Sequence, residues 1–368
     1  MKKISIMLLT ILMGESAFSQ CVIKAELKDV VGDTAYVQIA KPDLSGIEKT
    51  DTIKVQKGKF TIQNTDSKMR IVTCNVKTSD GNKRMTMYLV PGEKGIVKGT
   101  TEQNIWDGTQ FYKDYQDLEN VTNPIHEKMN EVGKSFHSQV EKGANADSLK
   151  KIIDPIYNGL REELNKAKMN FITSHPNSGV GVTLLLGLKD AEKALDIMSS
   201  KVTSDSKYAP VINFVKMQIE RKKKHEAALK KVAEGKLAPD FTLKSIDGSD
   251  LSLSSLRGKY LILDFWGSWC IWCIKGFPEL KKYYEKYSDR LEILGVDCSD
   301  TEEKWKAAVE KHELKWKHVF NPKDSDLTEK YAISGFPTKI VIDPEGKIVK
   351  TVVGEDPDFY KFLDELFK

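Results

Sequence analysis

The apolar run Leu261-Ile262-Leu263-Asp264-Phe265-Trp266 leads through Gly267-Ser268-Trp269 into Cys270-Ile271-Trp272-Cys273, and this stretch constrains the fold more tightly than any other. It reads as a buried strand ending where a helix begins. Two cysteines three apart at that junction lie one helical turn from each other, the geometry of a redox-active dithiol. The unpaired N–H groups and dipole of a helix N-terminus favour a thiolate, so Cys270 is expected to have a lowered pKa and to attack first. Cys273 can then close a disulfide back onto it. A half zinc site and an ordinary disulfide staple are the alternatives. Zinc would need a second Cys or His pair, and the other cysteines and the six histidines are scattered singly.

Further segments fall in a telling order around this pair. Ala238-Pro239-Asp240-Phe241-Thr242-Leu243, Asp247-Gly248 and Leu256-Arg257-Gly258-Lys259 precede it. Phe277-Pro278-Glu279-Leu280, Ile293-Leu294-Gly295-Val296-Asp297, Gly335-Phe336-Pro337-Thr338 and Ile342-Asp343-Pro344-Glu345-Gly346-Lys347 follow. Together they resemble the thioredoxin superfamily, and within it the TlpA/ResA-like extracytoplasmic thiol-disulfide oxidoreductases. The resemblance covers about the last third of the chain and implies an α/β thioredoxin-like fold there.

At 368 residues the chain exceeds the size at which a single core keeps growing, about 250 to 300 residues. Lys2-Lys3, the apolar stretch Ile4 to Met13 and the small residues Ala17-Phe18-Ser19 read as a secretory signal over residues 1–19, cleaved before Gln20. The apolar stretch is about half the ~20 residues a membrane span needs. Lipidation of Cys21 is the alternative, although Gln20 stands where a small residue is expected. Export implies a periplasmic or other extracytoplasmic setting, oxidising enough that a reduced dithiol needs a thiol electron donor, expected at the membrane. The net charge of +4 leaves no sustained basic surface, and Arg221-Lys222-Lys223-Lys224 suits the C-terminal end of a helix, so no nucleic-acid partner is expected.

Over residues 20–108 short alternating runs such as Thr34 to Ile39, Lys59 to Ile62, Arg70 to Cys74 and Met85 to Val90 predict an antiparallel β-sandwich. This region also resembles the β-rich domain that often precedes thioredoxin-like domains in exported bacterial proteins. Cys21 and Cys74 could form a disulfide there or pack as free small hydrophobes. Residues 109–232 read as an α-helical middle region. Ile152, Ile156, Leu160 and Leu164 form one apolar stripe, Val211, Phe214, Val215 and Ile219 another, and both are expected to pack into a core. Asn123-Pro124, Gly143-Ala144 and His175 to Gly179 punctuate the helices. Residues 233–368 alternate strands, at Tyr260 to Phe265, Leu291 to Val296, Thr338 to Ile342 and Ile348 to Val353, with helices after the cysteines, over Thr301 to His312 and over Asp358 to Phe367.

The resemblance assigns further roles. Asp264 takes the place of the buried aspartate of thioredoxins, an acid whose pKa burial would raise and which could accept the proton of Cys273. Phe336-Pro337 matches the cis-proline loop that faces the cysteines and aligns an incoming chain. Trp269, Ile271, Trp272 and Phe336 are the expected substrate-binding residues. The chain also departs from the pattern. Trp272 replaces a common Pro, Gly276 stands where many relatives carry Glu, and Ile293 aligns with the lysine that partners the thioredoxin aspartate. Asp264 is therefore expected without a countercharge, and the absence of His between the cysteines argues against a strong oxidant.

The leading expectation is an exported thiol-disulfide oxidoreductase that reduces protein disulfides, with disulfide-containing proteins as partners. A peroxiredoxin-like peroxidase would want Thr or Ser three residues before the nucleophile, where Gly267 stands. A redox-inert binding protein would have no need of both cysteines. Cys298, after the strand Ile293 to Asp297, could be inert or a resolving thiol. No flavin, nicotinamide or haem motif is present, so no cofactor is expected, and Trp266 and Trp269 read as packing for the site.

Overall fold

In a computed structural model the described residues are 20–41 and 43–368, so the signal over 1–19 lies outside them. The chain divides into two compact units between Ile219 and Glu220.

The first unit opens with strands β1 (Cys21–Leu27), β2 (Val30–Ala40), β3 (Ile47–Lys54), β4 (Lys59–Asn64), β5 (Arg70–Thr78), β6 (Gly81–Leu89), β7 (Lys94–Gly99) and β8 (Asn104–Gly108). They form two four-stranded sheets, ordered β4-β1-β7-β8 and β3-β2-β5-β6. Period-two burial fixes the register: β1 turns Cys21, Ile23, Ala25 and Leu27 inward, and β5 turns Val72, Cys74 and Val76 inward. The pairings are antiparallel, as alternation and tight turns suggested, except that β1 runs parallel to β7.

Helices α1 (Gln110–Glu141), α2 (Ala146–Ser174), α3 (Val180–Leu184), α4 (Ala191–Ile197), α5 (Ser200–Thr203) and α6 (Ala209–Lys231) follow, and the unit boundary falls inside α6. Strands and helices share one core that runs from Cys21 to Val215. The start of α1 is seated by Tyr112, whose ring stacks on Trp106 at 5.7 Å. Gly95 makes room for it, because a Cβ there would lie 2.8 Å from the Tyr112 ring. Two expectations are corrected. Asn123-Pro124 does not end a helix: Pro124 lies inside α1. The stripe on α2 is not core, since Ile152 and Ile156 are 64% and 51% exposed and only Phe171 and Ile172 of α2 are buried. A 29-residue helix joined to its neighbour by a tight turn can be held at one end alone, which the 3.6-residue pattern does not distinguish from full burial. The stripe on α6 does pack inward at Val211 and Val215.

The second unit contains β9 (Thr242–Ser245), β10 (Asp250–Ser252), β11 (Tyr260–Trp266), α7 (Ile271–Lys286), β12 (Leu291–Cys298), α8 (Glu302–Lys311), β13 (Lys317–Asn321), α9 (Leu327–Lys330), β14 (Thr338–Ile342), β15 (Ile348–Val353) and α10 (Pro357–Leu366). One seven-stranded sheet runs β10-β9-β13-β12-β11-β14-β15. β12 is its middle strand, and β11 beside it runs parallel to β12 and antiparallel to β14. The apolar strands were legible, whereas β9, β10 and β13 are short and polar and were not.

Alternation sorts the sheet into two faces. Ile262, Trp266, Ile293 and Val341 belong to the core that also holds Cys270, Cys273 and Phe277 of α7. Leu263, Phe265, Leu294, Val296, Cys298 and Ile340 belong to the core on the other side. Asp264, between Leu263 and Phe265, therefore falls on the α7 face.

Candidate active site

β11 ends at Trp266, and the chain turns through Gly267, Ser268 and Trp269 to Cys270, the N-cap of α7. The Cys273 backbone N–H donates to Cys270 Sγ at 3.2 Å, so the sulfur receives one of the N–H groups that a helix start leaves free. Cys270 and Cys273 are joined by a disulfide with a Cα–Cα distance of 5.3 Å. Both are buried, whereas Trp269, Ile271 and Trp272 are exposed around them. Phe336 meets Trp269 edge-on at 5.2 Å, and the Phe336–Pro337 peptide bond is cis. Pro337 O accepts from Gly354 N at 2.7 Å. Four of the residues expected to bind substrate thus frame the disulfide as an apolar rim.

The turn before Cys270 is tied down by the Cys298 carbonyl and by Asp300, a residue the sequence did not flag. Asp300 accepts from Ser268 N at 2.6 Å and Ser268 Oγ at 2.7 Å, and the Trp269 indole N–H donates to Cys298 O at 3.0 Å. Gly267 is required here, since a Cβ would sit 2.4 Å from the Trp269 indole nitrogen and 2.9 Å from Cys298 O. Asp297 is wholly buried, and burial first, then its hydrogen bond to Asp300, push its carboxyl up to about 8.

Asp264 is 2% exposed, and desolvation raises its carboxyl to about 6, with Lys339 pulling down and Glu355 pushing up. The expectation that it lacks a countercharge is corrected here. The cation comes from β14 and not from β12, because Lys339 sits directly across from Asp264 in the β11–β14 ladder. On the β12 side Gly295 faces Asp264. Lys339, itself 2% exposed, donates to Glu355 Oε2 at 2.6 Å, and the Tyr360 hydroxyl donates to Glu355 Oε1 at 2.7 Å. A charged residue in the otherwise apolar Thr338 to Ile342 was the available signal for Lys339. Glu355, in the loop between β15 and α10, gave none.

Cys298 points to the face opposite the disulfide, and burial pushes its thiol up to about 12. An un-ionised thiol on the far side of the sheet cannot resolve a Cys270 adduct. Cys21 and Cys74 are also free and buried, pushed by burial to about 11 and about 12. Among the described residues no group of three or more His, Cys, Asp and Glu could hold a metal ion.

A helix-capping disulfide after an inner strand of a mixed sheet, beside a cis-proline loop, defines the second unit as a thioredoxin-like domain. Comparison with known proteins agrees. The profile of the AhpC/TSA family matches residues 235–351. The thiol-disulfide oxidoreductase ResA of Bacillus cereus is 34% identical over 126 residues, 34% of this chain and 72% of that protein. ResA of Bacillus subtilis is 33% identical over 129 residues, 35% of this chain and 72% of that protein. The crystal structure of the thioredoxin domain of a thiol-disulfide oxidoreductase from Bacteroides vulgatus is 39% identical, covers 37% of this chain and 99% of that one, and aligns with a TM-score of 0.35. The chain belongs to the ResA/TlpA-like thiol-disulfide oxidoreductases of the thioredoxin superfamily.

Proposed function

We propose that this protein is an exported dithiol reductase of protein disulfides. The observation that carries the reading is the Cys270–Cys273 pair at the N-cap of α7, on the same face of the sheet as buried Asp264. In the reduced protein the Cys270 thiolate attacks a substrate disulfide, forming a mixed disulfide and expelling one substrate thiolate. Cys273 gives its proton to Asp264 and attacks Cys270 Sγ, which closes the intramolecular disulfide and expels the second substrate thiolate. Two electrons leave the dithiol, and an external thiol donor at the membrane restores them. Trp269, Ile271, Trp272 and Phe336 bind apolar side chains flanking the substrate cysteine, and Pro337 aligns its backbone.

Export rests on the charged and apolar leader in residues 1–19. Cys21 supports cleavage over lipidation, because its side chain is 2% exposed and 3.6 Å from the Tyr112 hydroxyl, leaving no outlet for an acyl chain. The inward alternation on β1 and β5 supports reading the two sheets of the first unit as a β-sandwich. A peroxidase reading has less support, since Gly267 offers no hydroxyl and that of Ser268 is committed to Asp300. The test is to mix the reduced protein with a disulfide-bonded protein and, separately, with hydrogen peroxide. Stoichiometric reduction of the protein disulfide with closure of Cys270–Cys273 is expected. Faster reaction with peroxide would favour the peroxidase, and no reaction with either would make the protein redox-inert.

A further inference from the structure

Behind the disulfide lies a second acid whose placement is not explained by packing. Glu355 leaves the surface loop after β15 and turns its carboxylate inward, where it accepts from Lys339 and from the Tyr360 hydroxyl. It fills a notch on α7 that exists only because Gly276, three residues beyond Cys273, has no side chain. A Cβ at Gly276 would lie 2.4 Å from Glu355 Oε2. Tyr360 closes the notch from α10 and also reaches Gly276 O at 3.4 Å. Lys339 is thereby shared by Glu355 and by Asp264, its cross-strand neighbour.

We propose that Glu355 is a positioning residue that keeps Asp264 able to take up the Cys273 proton. The argument is one of charge. A buried cation beside a single carboxylate makes a neutral pair that gains nothing from a proton, and such a carboxylate is a poor base. One cation between two carboxylates leaves a buried net charge of minus one, and a proton arriving on the inner carboxylate cancels it. Other groups near Asp264 do not supply that charge: Gly295 lies across on β12, and the Tyr360 hydroxyl, like the Cys298 thiol on the opposite face of the sheet, is held neutral by burial. Glu355 also raises the proton affinity of Asp264, in the direction the charge argument requires.

The inference rests on the role given to Asp264 above, and its test can fail separately. In the oxidised protein the Asp264 carboxyl can be titrated by carbon-13 NMR. Glu355→Gln, of the same shape, should lower the Asp264 midpoint by at least one pH unit and slow closure of the Cys270 mixed disulfide severalfold near neutral pH. Glu355→Asp should keep most of both properties. Adding Gly276→Glu to Glu355→Gly should restore the midpoint by bringing the carboxylate from the helix. Should Glu355→Gln fail to fold, Lys339→Met serves instead and should move the Asp264 midpoint upward. An unmoved midpoint in folded Glu355→Gln overturns the inference. A lowered midpoint with unchanged closure supports it and overturns the role of Asp264 as proton acceptor.

Discussion

The two units treat buried polar groups differently. In the first, the buried Arg70 guanidinium is paired with both Asp66 and Glu48, and the Tyr112 hydroxyl donates to Tyr88 O at 2.8 Å. On the α7 side of the sheet in the second, Asp264 Oδ1 and the indole nitrogens of Trp266, Trp305 and Trp316 have no hydrogen-bond partner within the protein. Burial holds His318 neutral, down at about 3, while it pushes Asp264 and Asp297 up. Unpartnered buried polar atoms cost about 1 to 3 kcal/mol each; the first unit holds Ser199 Oγ of this kind, while the second gathers several beside the disulfide and gives up more stability there. Such a difference is expected where local rules are broken for chemistry.

Asp264→Asn should show the contrast most strongly. It should slow closure of the mixed disulfide by about 10-fold to 100-fold near pH 7, within the range general-base groups contribute. It should also stabilise the domain. The folded state holds this proton more tightly than the unfolded chain, so the acid's contribution is favourable below its ordinary 3.8 and is lost as pH rises through about 6. Above that the ionised form costs the fold roughly 3 kcal/mol, which the amide removes. Denaturant unfolding at pH 4 and pH 8 checks this: a gain at pH 8 that disappears at pH 4 is expected, and a gain independent of pH would contradict it.

Asp300→Ala should have an intermediate effect, because it frees the turn and leaves the sulfurs in place. Loss of the bonds to Ser268 should slow exchange severalfold and expose the Ser268 amide to hydrogen exchange. Retained protection of that amide would remove Asp300 from the account.

How far the sequence reached follows from the range of the interactions involved. β11, α7 and the cysteines were legible because they are set by a continuous apolar run and a local helix start. Lys339, Glu355 and Asp300 were not, because each acts across the sheet or over a helix on a residue tens of positions away. The resemblance puts the countercharge at Ile293 on β12, and the fold supplies the cation from β14, the neighbour on the other side. The α2 stripe, exposed at Ile152 and Ile156 and only half-buried at Leu160 and Leu164, failed for the complementary reason: periodicity reports a face and not what covers it.

The smallest effects on exchange should come from the free thiols. Cys298→Ala lies on the far face and should leave turnover unchanged. Cys74→Ser puts a hydroxyl into a site with no exposure and should cost about 1 to 3 kcal/mol of stability in the first unit, with exchange unaffected. Slowed exchange in Cys298→Ala would break the separation of the two faces.

The most direct test of the central claim, that the α7 face carries a two-step exchange with Cys270 attacking and Cys273 resolving, is mixed-disulfide trapping read by mass spectrometry. Reduced Cys273→Ser, mixed with a disulfide-bonded protein, should accumulate an adduct on Cys270, whereas Cys270→Ser should accumulate almost none. Equal adducts on both variants, or a preferred adduct on Cys273, would contradict the account.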